Sequence, residues 1–128
     1  MTRAPLRILI VEDSTAMRQL LALAVKKHGA EVAEAPDGLA ALKVLSQQTF
    51  DLMFVDLNMP ILDGMKLIQK VRGDANMKDT RICVVTTESA QATEEHARAL
   101  GADFFLRKPV ARRDVERVLL EAFPARQG

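Results

Sequence analysis

The chain has 128 residues, of which 48% are hydrophobic and 27% charged, and its net charge is +1. This length and composition predict a single globular domain over residues 1–128 and exclude a disordered chain. The small net charge gives no reason to expect direct nucleic-acid binding. No apolar run reaches the ~18 residues of a membrane span and no signal-peptide pattern is visible, so we expect a cytoplasmic protein without membrane contact.

Five short apolar segments are predicted to form β-strands. They are Leu6–Val11, Glu31–Ala35, Asp51–Val55, Ile82–Val85 and Asp103–Leu106. Apolar runs with little alternation are typical of strands covered on both faces, as in a parallel sheet. The single cysteine, Cys83, excludes an intramolecular disulfide, and its place in the fourth segment predicts a buried core thiol.

A helical pattern follows each predicted strand. Four of the patterns carry apolar stripes, namely Met17, Leu20, Leu21, Ala24 and Val25; Leu39, Leu42 and Leu45; Met65, Ile68 and Val71; and Val115, Val118, Leu119 and Ala122. Ser14 and Asp37 are predicted N-caps, and Gly29 is a predicted left-handed C-terminal cap. Residues 90–100 have few apolar positions, which predicts a weakly anchored helix that is able to shift. The alternation predicts an α/β fold with helices on both faces of a five-stranded parallel sheet.

Polar residues with related chemistry follow four of the predicted strands. Glu12 and Asp13 follow the first strand, Asp56 the third, Thr86 the fourth and Lys108 the fifth. The carboxyl ends of parallel strands share one edge of the sheet, which is where such folds place their sites. Three carboxylates that met there would repel one another, and Mg²⁺ and a lysine would offset their charge. Taken singly, each residue is also compatible with a turn, a cap or an ordinary surface position. Taken together, they are typical of a phosphoryl site with Asp56 as the nucleophile.

Four motifs resemble the receiver domains of two-component signalling, over about residues 6–123. They are Glu12-Asp13-Ser14, Asp56-Leu57-Asn58-Met59-Pro60 with Asp63-Gly64, Thr86-Thr87-Glu88, and Lys108-Pro109. The resemblance implies a doubly wound (βα)5 fold with the flavodoxin- and CheY-like strand order 2-1-3-4-5. It also implies a domain core at residues 6–123 and a cis bond between Lys108 and Pro109 that aims the lysine.

The same resemblance implies a role for each site residue. Asp56 would accept a phosphoryl group from a sensor histidine kinase or a phosphotransfer protein. Thr86 and Lys108 would bind the phosphoryl oxygens. The implied ligands of Mg²⁺ are Glu12, Asp13, Asp56 and the main-chain carbonyl of Asn58. The chain would then act as a reversible switch rather than as a turnover enzyme.

The resemblance further implies how the phosphorylated state is read. Thr86 would move toward the phosphoryl group, and the aromatic residue Phe105 would fill the vacated space, although a static packing role for Phe105 stays open. Phe104 should point into the core on the other face. A downstream protein would bind the face formed by the fourth helix, the fifth strand and the fifth helix. Asn58 and Glu88 would flank the path of the attacking water and favour rapid loss of phosphate. Thr87 is larger than the residue at this position in the chemotaxis regulator of the family, so it would narrow access to the site for small phosphodonors.

Several alternatives stay open at this point. The preferred interpretation is a stand-alone, chemotaxis-like signalling module, and the second is a receiver domain of a larger regulator with a DNA-binding or enzymatic output. An aspartyl-phosphate phosphatase usually has a second Asp two residues after the nucleophile, where this chain has Asn58. A flavodoxin-like cofactor binder is disfavoured because no phosphate-binding loop follows the first strand.

His28 and His96 lack metal-type spacing, so we expect them to be surface histidines. The arginines at 107, 112, 113 and 117 are typical of a solvated face or of a surface for an acidic partner.

Overall fold

A computed structural model of the protein describes residues 4–124. The strands are β1 (Arg7–Val11), β2 (Glu31–Ala35), β3 (Leu52–Asp56), β4 (Arg81–Thr86) and β5 (Phe104–Arg107). The helices are α1 (Thr15–Lys26), α2 (Gly38–Gln47), α3 (Gly64–Arg72), α4 (Gln91–Leu100) and α5 (Arg112–Ala122). All strand pairs are parallel and the order is β2-β1-β3-β4-β5, which confirms the predicted fold class.

The sheet has a hydrophobic core on each of its faces. Successive side chains of a strand point to opposite faces, so the apolar runs of the inner strands supply both cores. One core contains Leu9, Met53, Val55, Ile82 and Val84, together with residues of α2, α3 and α4. The other contains Ile8, Ile10, Phe54, Cys83 and Val85, together with residues of α1 and α5. Cys83 is therefore a core thiol as predicted, and its burial raises the pKa of the thiol.

Among the described residues, the helices α1, α2 and α3 begin at a capping side chain, and two of these caps, Ser14 and Asp37, are those that the sequence predicts. The side chains of Ser14, Asp37 and Asp63 each accept a hydrogen bond from the backbone N–H three residues later. Two residues of the predicted apolar stripes are not in the core, since Leu20 is 45% exposed and Leu39 is 53% exposed. The predicted stripes are wider than the buried faces, because only the side of each helix that faces the sheet is covered. Gly29 has a φ of +82°, as its predicted cap position requires.

Helix α4 is weakly anchored, as predicted. Of its ten residues only Ala97 is buried, and its N-cap Ala90 has no side chain that can cap the helix. Its C-terminal end is held instead by Arg72 of α3, whose guanidinium donates to the carbonyl of Gly101 and pairs with Asp103. Polar contacts therefore help to hold a helix whose apolar burial is small. Among residues 4–124, no helix combines the length and the apolar character needed to cross a membrane.

Candidate phosphoryl-acceptor site

Three carboxylates meet at the carboxyl ends of β1 and β3. β1 pairs directly with β3, so Glu12 and Asp13, which follow β1, lie beside Asp56 at the end of β3. One carboxylate oxygen from each of the three lies within 4.8 Å of the others. Glu12 and Asp56 are buried, with 1% and 4% of their surface exposed, whereas Asp13 is exposed. The structure thus forms the acidic cluster that the sequence predicts.

Lys108 brings a positive charge to two of these carboxylates. Its Nζ lies 3.1 Å from Glu12 Oε1 and 3.5 Å from Asp56 Oδ2. The Lys108–Pro109 bond is cis, as expected, and the backbone N–H of Lys108 donates to the Thr86 carbonyl at 2.8 Å. Burial by itself lowers the pKa of Lys108, but its hydrogen bond to Glu12 and the charges of Asp56 and Glu12 outweigh burial and raise the pKa. The lysine is therefore held charged at the site.

Burial shifts the pKa of Glu12 in the direction opposite to its effect on Lys108. It raises the pKa of the Glu12 carboxyl, and the hydrogen bond from Lys108 offsets only part of that rise. One of its oxygens, Oε2, is buried without a hydrogen-bond partner among the described residues. Buried polar atoms nearly always have a partner. An unpartnered carboxylate oxygen beside two further carboxylates fits a hard divalent cation with oxygen ligands, such as Mg²⁺.

The other predicted site residues lie around this cluster, and the backbone of Asn58 contacts it directly. Asn58 is exposed, and its backbone N–H donates to Asp56 Oδ1 at 3.1 Å. Thr86 is fully buried at the end of β4, and its Oγ1 accepts from the backbone N–H of Glu88 at 3.1 Å. Within the described part of the chain, no hydrogen bond joins Thr86 to Asp56. Glu88 and Thr87 are exposed at the mouth of the site.

Two residues to which the sequence analysis assigned no role at the site support the cluster. Arg18 of α1 donates from Nη1 to the carbonyl oxygen of Glu12 at 2.7 Å and pairs with Glu34 at 3.2 Å. Gly64 lets α3 begin against the acceptor strand, since a Cβ there would lie 2.6 Å from the carbonyl oxygen of Asp56. An arginine on an amphipathic helix gives no sequence signal for such a contact. Gly64 was part of the Asp63-Gly64 motif, but its packing role was not visible.

The two phenylalanines of β5 lie on opposite faces of the sheet, as predicted. Phe105 packs against the core that includes Ala97 of α4, and Phe104 packs against the core on the α1 and α5 side. Both rings are half-buried, so Phe104 lies at the border of its core and not fully inside it. β5 is an edge strand, and edge strands have a neighbour on one side only.

The predicted arginine cluster is largely ion-paired. The pairs are Arg107 with Glu94, Arg112 with Glu116 and Arg117 with Asp114. His28 lies 3.8 Å from Glu116, and His96 is exposed. Most of this surface is therefore a neutralised, solvated face.

Comparison with known proteins places the chain in a family. Residues 8–120 match the family described as the response regulator receiver domain, and the chain belongs to that family of two-component systems. Proteins of this family are signalling switches and not turnover enzymes, and they interact with histidine kinases and phosphotransfer proteins. This membership favours the receiver interpretation over a phosphatase of another family or a cofactor binder.

Similar proteins include both free-standing and kinase-attached receivers. The chain is 33% identical over 105 residues to the chemotaxis protein CheY of Pseudomonas aeruginosa, covering 81% of this chain and 85% of the relative. The structure of Vibrio cholerae chemotaxis protein CheY4 aligns with a TM-score of 0.88 at 31% identity, over 93% of this chain and 99% of that one. The receiver domain of the sensor histidine kinase PA1611 from Pseudomonas aeruginosa, solved with a magnesium ion in its active-site cleft, has a TM-score of 0.85 at 26% identity, over 94% and 99%.

Proposed function

We propose that the chain is a phosphorylation switch whose acceptor is Asp56, in a single receiver domain with its core at residues 6–123. The observation that carries the proposal is the setting of Asp56. A buried carboxylate lies beside a lysine ammonium and a second buried carboxylate that has an unpartnered oxygen. Such a setting combines a nucleophile with positive charge for an incoming phosphoryl group.

The residues of the site supply the nucleophile and the hydrogen-bond donors for the transfer step. A carboxylate oxygen of Asp56 attacks the phosphorus of a phosphohistidine on a sensor kinase or phosphotransfer protein. A P–O bond forms as the P–N bond breaks, and the imidazole keeps the electron pair and takes up a proton. Lys108 offers its ammonium to the phosphoryl oxygens, and the buried Thr86 hydroxyl donates to another of them. Water later hydrolyses the acyl phosphate and restores the Asp56 carboxylate.

A divalent ion would complete the charge balance of the site. The residues that would hold Mg²⁺ are Glu12, Asp13, Asp56 and the main-chain carbonyl of Asn58. When bound, Mg²⁺ neutralises negative charge on the carboxylates and the phosphoryl oxygens. The support for this ligand set is the acidic cluster with its unpartnered oxygen. The PA1611 receiver, which is reported with magnesium in its cleft, supports the same choice of metal.

Phosphorylation by a small acyl-phosphate donor tests the central proposal. We expect acetyl phosphate with Mg²⁺ to add one phosphoryl group to the wild-type protein and none to Asp56→Asn, as followed by intact mass spectrometry. Labelling should fall sharply without Mg²⁺. Asp79→Asn is the matched control, because Asp79 is an exposed acid that precedes β4, at the opposite edge of the sheet, and it should be labelled like the wild type. Equal labelling of Asp56→Asn and wild type would refute the proposal.

The two exposed residues that flank the site should set the lifetime of the phosphorylated form. We expect Asn58→Ala and Glu88→Ala each to slow the decay of the acyl phosphate by about threefold or more, which corresponds to ~0.7 kcal/mol in the barrier. The measurement is the loss of the phosphorylated mass with time after removal of the donor. Glu95→Ala, at an exposed acid within α4, is the control. Unchanged decay in both site variants would remove these residues from the mechanism.

The output of the switch is proposed to be the α4–β5–α5 face, which would bind a downstream protein. A chemotaxis-like role is favoured because the chain resembles CheY proteins over most of both chains. The alternative, a receiver attached to a larger regulator, is supported by the similarity to a receiver domain that belongs to a sensor kinase. The length of the complete coding sequence separates the two.

A further inference from the structure

Arg107, the last residue of β5, lies across the ring of Phe105. Its guanidinium carbon is 5.1 Å from the ring centroid, within the range of a cation–π contact. Residues i and i+2 of a strand point to the same face, and the face of Phe105 is the one whose core includes Ala97 of α4. The arginine therefore covers the aromatic residue from the side of α4.

The same guanidinium is tied to α4 and to the segment that precedes it. Arg107 Nη2 lies 3.2 Å from Glu94 Oε1 and 3.5 Å from the carbonyl oxygen of Ser89. Glu94 also accepts from Arg98 Nε at 3.0 Å. That hydrogen bond, with a smaller contribution from Arg107, holds the pKa of Glu94 below its ordinary value, so the carboxylate stays charged. The guanidinium of Arg107 therefore contacts both the Phe105 ring and α4.

A short chain of contacts joins this arginine to the acceptor site. Thr86 Oγ1 accepts from the backbone N–H of Glu88 at 3.1 Å, and the next residue, Ser89, offers its carbonyl oxygen to Arg107. A Thr86 hydroxyl that turns toward a phosphoryl group on Asp56 either draws the Glu88 N–H with it or releases it. Because Ser89 directly follows Glu88, we expect this change to displace the Ser89 carbonyl relative to Arg107 and so to alter the restraint on the ring.

We propose that Arg107 is a positioning residue that holds Phe105 in its unphosphorylated arrangement, through Glu94 and the Ser89 carbonyl, and that phosphorylation releases it. The proposal rests on the proposed function, because it needs Thr86 to respond to a phosphoryl group at Asp56. A phenylalanine has no hydroxyl group that could hydrogen-bond at the surface. The arginine supplies a polar restraint that the ring itself lacks.

Binding of beryllofluoride with Mg²⁺, a stable analogue of the phosphoryl group, tests this role. We compare the wild type with Arg107→Met, Glu94→Gln and the double variant by heteronuclear NMR titration, after thermal unfolding has shown that each is folded. A restraint on the free state lowers the fraction of molecules ready to bind, so its removal should tighten binding by about threefold to tenfold. The double variant should bind no tighter than the tighter single variant, because both changes remove one interaction.

A second readout reports the switch before any ligand is added. In free Arg107→Met, the amide signals of Ser89 and Phe105 should already lie partway along the line from the free to the bound positions of the wild type. A merely structural role would not produce that displacement. Arg112→Met removes the same charge from α5, where Arg112 pairs with Glu116, and should bind like the wild type.

The outcomes separate the two proposals. Wild-type affinity or weaker binding in Arg107→Met and Glu94→Gln, while the wild type binds the analogue, would overturn the role of Arg107 and leave Asp56 as the acceptor. Loss of the Arg107 charge would by itself weaken the binding of the anionic analogue. The proposal predicts that Arg107→Met binds the analogue more tightly, so the two explanations predict opposite changes in affinity. Failure of the wild type to bind the analogue at all would overturn both proposals.

Discussion

Replacing Lys108 with methionine should lower the free energy of unfolding by about 3 kcal/mol at pH 8 in the absence of Mg²⁺. The ammonium lies within 3.5 Å of carboxylate oxygens on both Glu12 and Asp56, and both of these residues are buried. Methionine fills most of the space of the side chain but leaves two buried negative charges without their cation. Urea unfolding followed by circular dichroism measures the loss.

The loss should be smaller at pH 5 than at pH 8. Burial already raises the pKa of Glu12, and removal of the lysine raises it further. A carboxyl group whose pKa is higher in the folded than in the unfolded protein stabilises the fold below the unfolded-state pKa. That stabilisation is lost as the pH rises through the folded-state pKa. The variant therefore weakens with rising pH, as its buried carboxyl group is forced to ionise.

A control variant and the addition of Mg²⁺ test the cause of this loss of stability. Lys43→Met removes an exposed lysine of α2 and should change the stability by no more than about 0.5 kcal/mol. Added Mg²⁺ should restore part of the stability of Lys108→Met, because an ion at the acidic cluster replaces the missing positive charge. An equal loss at pH 5 and pH 8 would contradict the electrostatic cause and indicate lost packing.

Replacing Arg72 with methionine should destabilise the fold by about 2–4 kcal/mol. Its guanidinium donates to the carbonyl oxygens of Lys78, Thr80 and Gly101 and to the carboxylate of Asp103. Asp103 in turn accepts from the backbone N–H of Ile82. The substitution leaves several partly buried acceptors without donors, and it frees the C-terminal end of α4. Chemical denaturation gives the magnitude.

Hydrogen exchange should locate the effect of Arg72→Met. Protection should fall first in α4, which has little apolar burial to hold it once the arginine is gone. Arg72→Lys should recover less than half of the loss, because an ammonium cannot reproduce the planar fork of donors. Arg113→Met, at an exposed arginine of α5, is the matched control. A uniform loss of protection across the domain would argue against a local role at α4.

Much of the fold could be predicted from the sequence, because local patterns carry it. The bounds of all five predicted strands lie within one residue of those observed, since the short segments alternate with longer helical patterns along the chain. Ser14 and Asp37 were predictable as caps because a cap acts on the backbone three residues away. The failures had a non-local cause. Leu20 and Leu39 fit a helical stripe, but how much of a helix the sheet covers depends on residues elsewhere in the chain.

The sequence alone also determined which residue types reach the site edge, because each of them follows a strand. Only the tertiary structure decided how they meet. The contacts of Lys108 with Glu12 and Asp56 join residues 96 and 52 positions apart, and they depend on β1 lying beside β3. The contacts of Arg18, Arg72 and Arg107 could not be predicted from the sequence for the same reason. An arginine has a long, flexible side chain, so its partners are set by which backbone carbonyls and carboxylates the fold brings within its reach, and no spacing in the sequence records that.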